Sequence, residues 1–291
     1  MIVVTGADGF IGSNLVNALE NKYDKKVLSV DYTNNRKHRN WCSADDFIRH
    51  SSHFTDVTAV LHNGANSSTT TTKTFDVMYN NFDYAASLLL TCYRKGIKFI
   101  YASSASVYGD GPFYESSQKT PKNLYAKSKA LFDDYVDIYS SQIKNIIGLR
   151  YFNVYGQNEE KKGDMASVVY KFYNQVKENN TISIFENSEK YTRDFIHVDD
   201  VVDINLFFLE NYHDGIYNVG TGTTRSFLDI ANIFKDRYGC EIKEIAMPRN
   251  LIGKYQTYTK SDNTRINRLY NKRYLSLEDG VNKYIDYLES Q

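Results

Sequence analysis

Short apolar runs alternate with segments of helical periodicity through the first half of the chain. The apolar runs hold four to six residues, many of them β-branched, and they cover residues 1–5, 26–30, 57–61, 99–102 and 145–150. Between them lie stretches with apolar residues three and four apart, for example Ala85 to Tyr93. Such alternation predicts an α/β fold, with a doubly wound parallel sheet that carries helices on both faces.

The pattern changes after Gly156. A polar, charged segment from Gln157 to Asp164 leads into a helical stretch, and strand-like runs follow at residues 182–185 and 193–198. From about Thr224 the chain has the pattern of a helix, a short strand, an irregular polar segment and a last helix. We therefore predict a sheet domain of residues 1–156 plus about 196–223, and a smaller α/β substrate domain of about 157–195 plus 224–291.

Three glycines spaced three apart follow the first strand. Gly6, Gly9 and Gly12 lie between a β-branched run and a helical pattern, and Asp31 ends the next strand about 20 residues further on. Glycine permits a tight turn and a close approach of pyrophosphate, which the helix N-terminus attracts, while an acid can bind a ribose hydroxyl. The pattern predicts a Rossmann-type fold that binds a dinucleotide.

Tyr125 and Lys129 are spaced to share one face of a predicted helix. A nearby ammonium group favours the phenolate, so we expect a lowered Tyr125 pKa and proton exchange with a sugar or alcohol hydroxyl near neutral pH. A buried strand ends in Ser103 and Ser104. Because ligands bind at the carboxyl ends of parallel strands, Ser104 is placed to hydrogen-bond the hydroxyl that Tyr125 deprotonates.

Composition and charge narrow the class of protein. The chain has 291 residues, 42% of them hydrophobic, and its 35 basic and 35 acidic side chains give a formal net charge of zero, which argues against a nucleic-acid partner. The three cysteines and six histidines lack metal-ligand spacing, so no metal site is expected. Without a signal peptide or a membrane-spanning apolar run, the sequence is expected to be cytoplasmic, with no membrane partner.

With these elements the sequence resembles the extended short-chain dehydrogenase/reductase superfamily of nucleotide-sugar enzymes over nearly its whole length. Further matches are His62-Asn-Gly-Ala65, the Asn80-Asn81 pair, Arg150-Tyr-Phe-Asn-Val-Tyr-Gly156, Arg193-Asp-Phe-Ile-His-Val-Asp-Asp200 and Tyr217-Asn-Val-Gly220. The resemblance implies a nicotinamide cofactor and a Ser104–Tyr125–Lys129 catalytic set. The residues it implies for the cofactor are Gly6, Gly9, Phe10, Ile11, Gly12, Asp31, Tyr32, Asn81 and Lys129.

Several segments resemble one branch of that superfamily, the ADP-L-glycero-D-manno-heptose 6-epimerases of lipopolysaccharide core synthesis. They include the hydroxyl-rich run from Ser67 to Thr72, Lys162-Gly-Asp-Met-Ala-Ser-Val168 and Gly253-Lys-Tyr-Gln-Thr-Tyr258. Asn63 stands where an acid is commoner, and Asp164 replaces a small polar residue. The branch implies epimerisation at C6 of an ADP-linked manno-heptose through transient oxidation by a tightly held cofactor.

The resemblance also implies a second proton donor and a set of substrate-binding residues. Lys162 is the matching candidate for the donor, although a solvated loop lysine is the alternative interpretation. The residues implied for the substrate are Ser67, Ser68, Thr69, Asn153, Arg193, Lys254 and Tyr255. Arg193 and Lys254 are suited to pyrophosphate, but Arg193 could instead form only an ion pair with Asp194 or Asp199.

Cofactor choice and reaction type leave alternatives open. Asp31 favours an unphosphorylated ribose, whereas the basic cluster of residues 36–39 could neutralise a 2′-phosphate. Because members of the resembled family use NADP readily, we expect NADP as the cofactor, with NAD as the alternative. Ala105 and Ser106 replace the acidic pair that a dehydratase needs. Another nucleotide-sugar epimerase or reductase, acting for example on a GDP-heptose or UDP-sugar, and a non-catalytic regulator remain as alternatives. The resemblance implies a homo-oligomer, with a pentamer as the expected state.

Overall fold

The computed structural model describes residues 1–22, 25–50, 55–139, 144–248 and 256–291. Its strands are β1 (Ile2–Thr5), β2 (Val27–Asp31), β3 (Trp41–Ser43), β4 (Ala59–His62), β5 (Lys98–Ser104), β6 (Ile146–Tyr151), β7 (Asn153–Tyr155), β8 (Thr181–Phe185), β9 (Thr192–His197), β10 (Gly215–Val219), β11 (Thr224–Ser226) and β12 (Glu241–Ile245). Its α-helices are α1 (Phe10–Asn17), α2 (Ala44–Arg49), α3 (Thr74–Met78), α4 (Tyr84–Lys95), α5 (Leu124–Tyr139), α6 (Val168–Asn179), α7 (Val198–Glu210), α8 (Phe227–Tyr238) and α9 (Leu277–Glu289).

Two compact units divide the chain. The first comprises Met1–Val107, Pro121–Tyr151 and Val201–Tyr217, and the second comprises Tyr108–Thr120, Phe152–Asp200 and Asn218–Gln291. The sequence had placed residues 108–120, 152–156, 196–200 and 218–223 in the sheet domain instead. Hydrogen bonds within the second unit explain where residues 108–120 belong: Asn218 accepts one from the Tyr108 hydroxyl at 2.7 Å and donates to the Phe113 carbonyl at 2.8 Å.

The first unit contains the predicted parallel sheet. Its strand order is β10-β6-β5-β4-β1-β2-β3, and every neighbouring pair from β6 to β3 is parallel. The strands are buried along most of their length because helices cover both faces, and this explains their continuous apolar runs. Phe99, Tyr101 and Phe132 pack in the core beside Leu88 and Leu89 of α4. The predicted α/β fold class is confirmed.

The second unit has smaller sheets of its own. Strands β11, β9 and β7 form one sheet, and β12 pairs with β8 in another. Its core forms where α6, α8 and α9 bury apolar side chains, among them Phe172, Phe234 and Tyr284. Helix α8 begins with a capping box in which Ser226 and Asp229 satisfy each other's backbone N–H groups.

Two absences hold for the described part of the chain. No helix there is long and apolar enough to cross a membrane, and those same residues include no cluster of acidic, histidine and cysteine side chains able to hold a metal ion. Cys42, Cys92 and Cys240, all among the described residues, are not joined by disulfide bonds.

Candidate active site

The glycine loop is packed so closely that no side chain fits at Gly6 or Gly12. Gly6 has φ of +68°, and a Cβ there would lie 2.6 Å from the Gly64 nitrogen. A Cβ on Gly12 would lie 2.0 Å from the Gly6 carbonyl oxygen. Helix α1 begins directly after this loop, at Phe10. A bare backbone turn at a helix N-terminus is the cradle that a pyrophosphate needs, so these residues fit the dinucleotide that the sequence predicts.

Asp31 lies against the same loop, at the carboxyl end of β2. Its carboxylate accepts hydrogen bonds from the backbone nitrogens of Asp8, at 2.9 Å, and Tyr32, at 2.8 Å. Burial raises the pKa of Asp31, and these two bonds oppose that rise. Tyr32 is 52% exposed, and its hydroxyl donates to the Asn80 side chain. The predicted acid at the end of the second strand therefore lies next to the glycine loop.

Ser104 and Tyr125 meet at the carboxyl end of β5. Their side chains share a hydrogen bond, and Ser106 donates to the Ser104 hydroxyl oxygen through its own hydroxyl at 2.9 Å and its backbone nitrogen at 3.2 Å. Burial raises the pKa of the Tyr125 phenol, and the bond with Ser104 opposes the rise. Strand β5 and helix α5 thus bring together two of the three side chains that the resemblance implies for catalysis.

Lys129 lies one helical turn after Tyr125 on α5. It is 4% exposed, and its Nζ donates to the Ala102 carbonyl at 2.7 Å. Burial lowers the Lys129 pKa to about 8, although the charge of Asp133 acts in the opposite direction. The expected lowering of the Tyr125 pKa is wrong for this structure, because burial outweighs the stabilisation of the phenolate. The i, i+4 placement of the two side chains on one helix is confirmed.

A buried ion pair between Asp133 and Arg150 lies beside the strand and helix that carry Ser104 and Lys129. Asp133 is fully buried, and its carboxylate accepts from the Tyr101 hydroxyl at 3.0 Å, the Ser103 hydroxyl at 3.0 Å and Arg150 Nε at 2.8 Å. These contacts join β5, α5 and β6 immediately beside Ser104. Asp133 is four residues after Lys129 on the same helix face, so the spacing alone could have indicated its place.

Asn81 connects the loop after β4 to helix α5. Its amide donates to the Asn66 carbonyl at 3.0 Å and to Ser128 Oγ at 2.9 Å, and its Oδ1 accepts from the Asn66 nitrogen at 2.7 Å. Ser128 in turn donates to the Tyr125 carbonyl at 2.7 Å. The structure thus shows Asn81, which is 1% exposed, holding elements of the site in place.

The hydroxyl run of residues 67–69 begins where this loop is anchored. The Ser68 nitrogen donates to Asn66 Oδ1 at 3.2 Å, while Ser67 and Thr69 are exposed. Their position directly after the anchored Asn66 leaves hydroxyl groups at the surface of the first unit. Exposed hydroxyl groups on a fixed backbone are suited to hydrogen-bonding a sugar.

Lys162 lies in a 3₁₀ segment of the second unit, Glu160–Met165. It is half-buried, whereas the preceding Lys161 is exposed. Burial lowers the Lys162 pKa, and the charge of Glu159 partly offsets this. Glu159 is fully buried and accepts from Ser167 through its nitrogen at 2.8 Å and its hydroxyl at 2.6 Å. The environment of Lys162 therefore differs from that of a solvated loop lysine.

Arg193 is held inside the second unit. Its guanidinium donates to the Thr192 carbonyl at 2.9 Å and to the Gln256 carbonyl, and it lies 5.5 Å from the centre of the Phe227 ring. Asp194, one of the two acids considered as its partner, accepts instead from Thr221, Gly222 and Ser261. Asp199, the second acid considered as its partner, forms an ion pair with Lys283 Nζ at 2.5 Å and accepts a hydrogen bond from Gln157 Nε2 at 2.6 Å.

Of the remaining predicted substrate residues, the structure describes Asn153 alone. Asn153 is exposed at the start of β7, where its Oδ1 accepts from Thr259 at 3.3 Å. Lys254 and Tyr255 lie outside the described residues. A cavity of about 1450 Å³ lies within the second unit, and its described lining, which includes Phe113 and Tyr270, contains none of the predicted site residues.

The sequence patterns did not reveal the residues that position the predicted site residues through hydrogen bonds. Asp8, Ser106 and Asn66 each share a hydrogen bond with a predicted site residue. Asp133 accepts one from Ser103, the residue directly before Ser104. Only Asp133 had a signal in the spacing, because it continues the Tyr125–Lys129 helix face. The contacts of the others depend on loop conformations that no short motif specifies.

Comparison with known proteins identifies relatives along the whole chain. The model of the NAD dependent epimerase/dehydratase family matches residues 2–220. The ADP-L-glycero-D-manno-heptose-6-epimerase of Brachyspira hyodysenteriae (strain ATCC 49526 / WA1) is 42% identical over an alignment 311 positions long, which covers 99% of this chain and 98% of that protein.

Solved structures of two epimerases have a fold similar to that of this chain. The Helicobacter pylori ADP-L-glycero-D-manno-heptose-6-epimerase matches with a TM-score of 0.85 and 27% identity, covering 100% of this chain and 96% of that one. The UDP-N-acetylglucosamine 4-epimerase of Methanobrevibacter ruminantium M1 matches with a TM-score of 0.87 and 25% identity, covering 100% of this chain and 98% of that one.

Proposed function

The chain belongs to the NAD dependent epimerase/dehydratase family, and we propose that it inverts C6 of an ADP-linked manno-heptose. The reaction converts ADP-D-glycero-D-manno-heptose into ADP-L-glycero-D-manno-heptose, for lipopolysaccharide core synthesis. The observation that carries this proposal is the 42% identity, over 99% of the chain, to a protein named for that activity. The shared hydrogen bond of Ser104 and Tyr125, with Lys129 one turn away, supports it.

The proposed mechanism needs one group that removes the hydroxyl proton from the sugar and a second group that supplies a proton when the hydroxyl is re-formed. When bound, the oxidised nicotinamide would accept a hydride from C6 and return it to the opposite face of that carbon. Tyr125 takes the proton of the C6 hydroxyl, and Ser104 holds the same oxygen by a hydrogen bond. In this two-base scheme the phenol keeps the proton that it has taken, and the second group protonates the re-formed hydroxyl.

Tyr125 needs neighbours that stabilise its phenolate before it can act as a base. Because burial raises that pKa, the phenol is protonated at neutral pH and must be assisted before it can act as a base. The bond from Ser104 favours the phenolate, and a charged Lys129 on the same helix face does so through its positive charge. Both groups are therefore assigned to activating Tyr125, whether or not they contact the sugar.

Lys162 is our candidate for the second proton donor. Inversion requires that a proton be delivered to the oxygen after the carbonyl has turned its other face to the cofactor. Burial lowers the Lys162 pKa, which makes its ammonium group a stronger proton donor. Lys162→Met should abolish epimerisation while leaving cofactor binding intact. Lys161→Met is the matched control, because its side chain is exposed, and it should retain turnover.

The assay for this pair follows the sugar by NMR and the bound cofactor by mass spectrometry. Loss of turnover in Lys162→Met with cofactor retained, beside an active Lys161→Met, supports the two-base scheme. Retained turnover in Lys162→Met would discard it, and Tyr125 would then have to serve both faces.

The proposal assigns the remaining groups to binding. Ser67, Ser68, Thr69 and Asn153 are proposed to hydrogen-bond sugar hydroxyls, and Arg193, Lys254 and Tyr255 to bind the nucleotide diphosphate. Family membership establishes a nicotinamide cofactor; NADP is the form that the resemblance implies, with NAD as the alternative. Selection between them depends on the loop after β2.

We further propose that the enzyme is a homo-oligomer, with a pentamer as the state that the resemblance implies. Light scattering on the purified chain at micromolar concentration measures this directly. A mass of five chains would agree with the proposal, and a monomer at all concentrations would reject it.

A further inference from the structure

The loop that follows β2, residues 33–38, folds around the carboxylate of Asp8. Asp8 belongs to the glycine loop and is 8% exposed. Its carboxylate accepts from the Asn35 nitrogen at 2.5 Å, the Arg36 nitrogen at 3.0 Å and the Thr33 hydroxyl at 3.2 Å. His38 Nε2 lies 3.2 Å from the same group. Two backbone amides and a hydroxyl thus donate to one negative charge, and an imidazole lies beside it.

Such a set of donors is what a protein loop uses to bind an external anion. Consecutive backbone N–H groups make anion-binding concavities, and hydroxyl and imidazole groups strengthen them. Here the anion is a side chain of the protein itself. The Arg36 guanidinium takes part as well, because its Nε donates to the Asp8 carbonyl at 3.2 Å. Two members of the basic cluster that the sequence offered for a 2′-phosphate, Arg36 and His38, therefore lie against Asp8, whereas Lys37 and Arg39 are exposed.

The same carboxylate adds negative charge beside Asp31. The Asp8 nitrogen donates to Asp31 Oδ2 at 2.9 Å, so the two acidic residues are adjacent in space although 23 positions separate them in the chain. The charge of Asp8 also raises the pKa of Asp31, as a smaller effect than burial. A phosphate placed near Asp31 would meet repulsion from two carboxylates rather than one.

We propose that Asp8 is a specificity-determining residue for the cofactor, and that it selects NAD over NADP. Its carboxylate occupies the Asn35 and Arg36 nitrogens and the Thr33 hydroxyl. A 2′-phosphate would therefore find these donors taken and would meet two carboxylates, whereas a free 2′-hydroxyl can donate to Asp31. This inference rests on the nicotinamide dependence of the family and narrows the cofactor of the proposed function. It replaces NADP, which the resemblance implies, with NAD.

Calorimetric titration of the full-length protein with NAD⁺ and with NADP⁺, after removal of any dinucleotide that co-purifies with it, tests the proposal. The wild type should bind NAD⁺ with a Kd about ten-fold lower, or lower still, because one additional close like-charge contact is enough for that ratio. Asp8→Ala should shrink the ratio at least about ten-fold, mainly through tighter binding of NADP⁺. Asp134→Asn removes one exposed negative charge from α5 of the same unit and should leave the ratio unchanged.

Two further measurements keep the test decisive if Asp8→Ala does not fold. Asp8→Asn retains the side-chain volume and should shift the ratio in the same direction. Titration of the wild type with adenosine 2′,5′-bisphosphate and with adenosine 5′-monophosphate isolates the effect of the 2′-phosphate, which should weaken binding. Equal or tighter binding of NADP⁺ by the wild type, or folded Asp8 variants with an unchanged ratio, would overturn the proposal. Since no sugar is present, a failure of the epimerase assignment would not affect these results.

Discussion

Removal of the Asp133 charge should destabilise the first unit strongly. Asp133 is 0% exposed and Arg150 is 1% exposed, and their side chains are 2.8 Å apart. Asp133→Asn would leave the guanidinium buried without its counter-ion, a change that typically costs about 3–5 kcal/mol. The hydroxyls of Tyr101 and Ser103 would also lose the carboxylate that accepts from them. We therefore expect the free energy of unfolding to fall by about 3–5 kcal/mol.

Urea unfolding followed by tryptophan fluorescence measures this change, because the single tryptophan, Trp41, lies on β3 of the first unit. Asp134→Asn is the matched control: the neighbouring carboxylate is exposed, and its loss should change the free energy of unfolding by less than about 0.5 kcal/mol. The double variant Asp133→Leu/Arg150→Met should lose less than the sum of its single variants, because an apolar pair leaves no charge buried.

The same variant has a functional consequence. The charge of Asp133 favours the protonated form of Lys129, so its loss should lower the Lys129 pKa further below about 8 and reduce activity at neutral pH. If Asp133→Asn unfolds at the same urea concentration as Asp134→Asn, the reasoning about this ion pair is refuted. A stable but inactive Asp133→Asn would retain the functional role and reject the structural one.

Two other predictions concern the cofactor side of the site. Because burial lowers the Lys129 pKa to about 8, the lysine is charged below that pH and neutral above it, so kcat/KM should fall as the pH rises through about 8. Lys129→Arg, which stays charged, should move this fall to higher pH. If the fall does not move, it belongs to the titration of another group. Gly12→Ala should abolish dinucleotide binding in equilibrium dialysis, because the new Cβ would lie 2.0 Å from the Gly6 carbonyl oxygen; dinucleotide binding equal to that of the wild type would show that the loop can move aside.

The sequence was informative where local rules decide the structure. Gly6 and Gly12 could be interpreted because only glycine tolerates positive φ and backbone contact, and the periodicity around Tyr125 and Lys129 placed them on one helix. The alternation of strands and helices predicted the parallel sheet, which the structure confirms.

Long-range contacts were beyond such rules. The loop of residues 33–38 is organised by Asp8, which lies 25 or more positions away in the chain, and no periodicity links the two. The Tyr125 pKa was predicted in the wrong direction because a neighbouring charge can be counted from spacing, whereas burial depends on how β5 and α5 pack. Assignment of residues 108–120 to the second unit depends likewise on contacts with Asn218, more than 100 positions away for Tyr108 and Phe113.

The central claim is most directly tested by incubating the purified protein with ADP-D-glycero-D-manno-heptose, with no added cofactor, and following the sugar by NMR. We predict that the L-glycero isomer appears, which would establish both the C6 epimerisation and a tightly held cofactor. No conversion, even with NAD and NADP supplied, would contradict the heptose assignment and leave family membership alone standing, with another nucleotide sugar as the substrate to be sought.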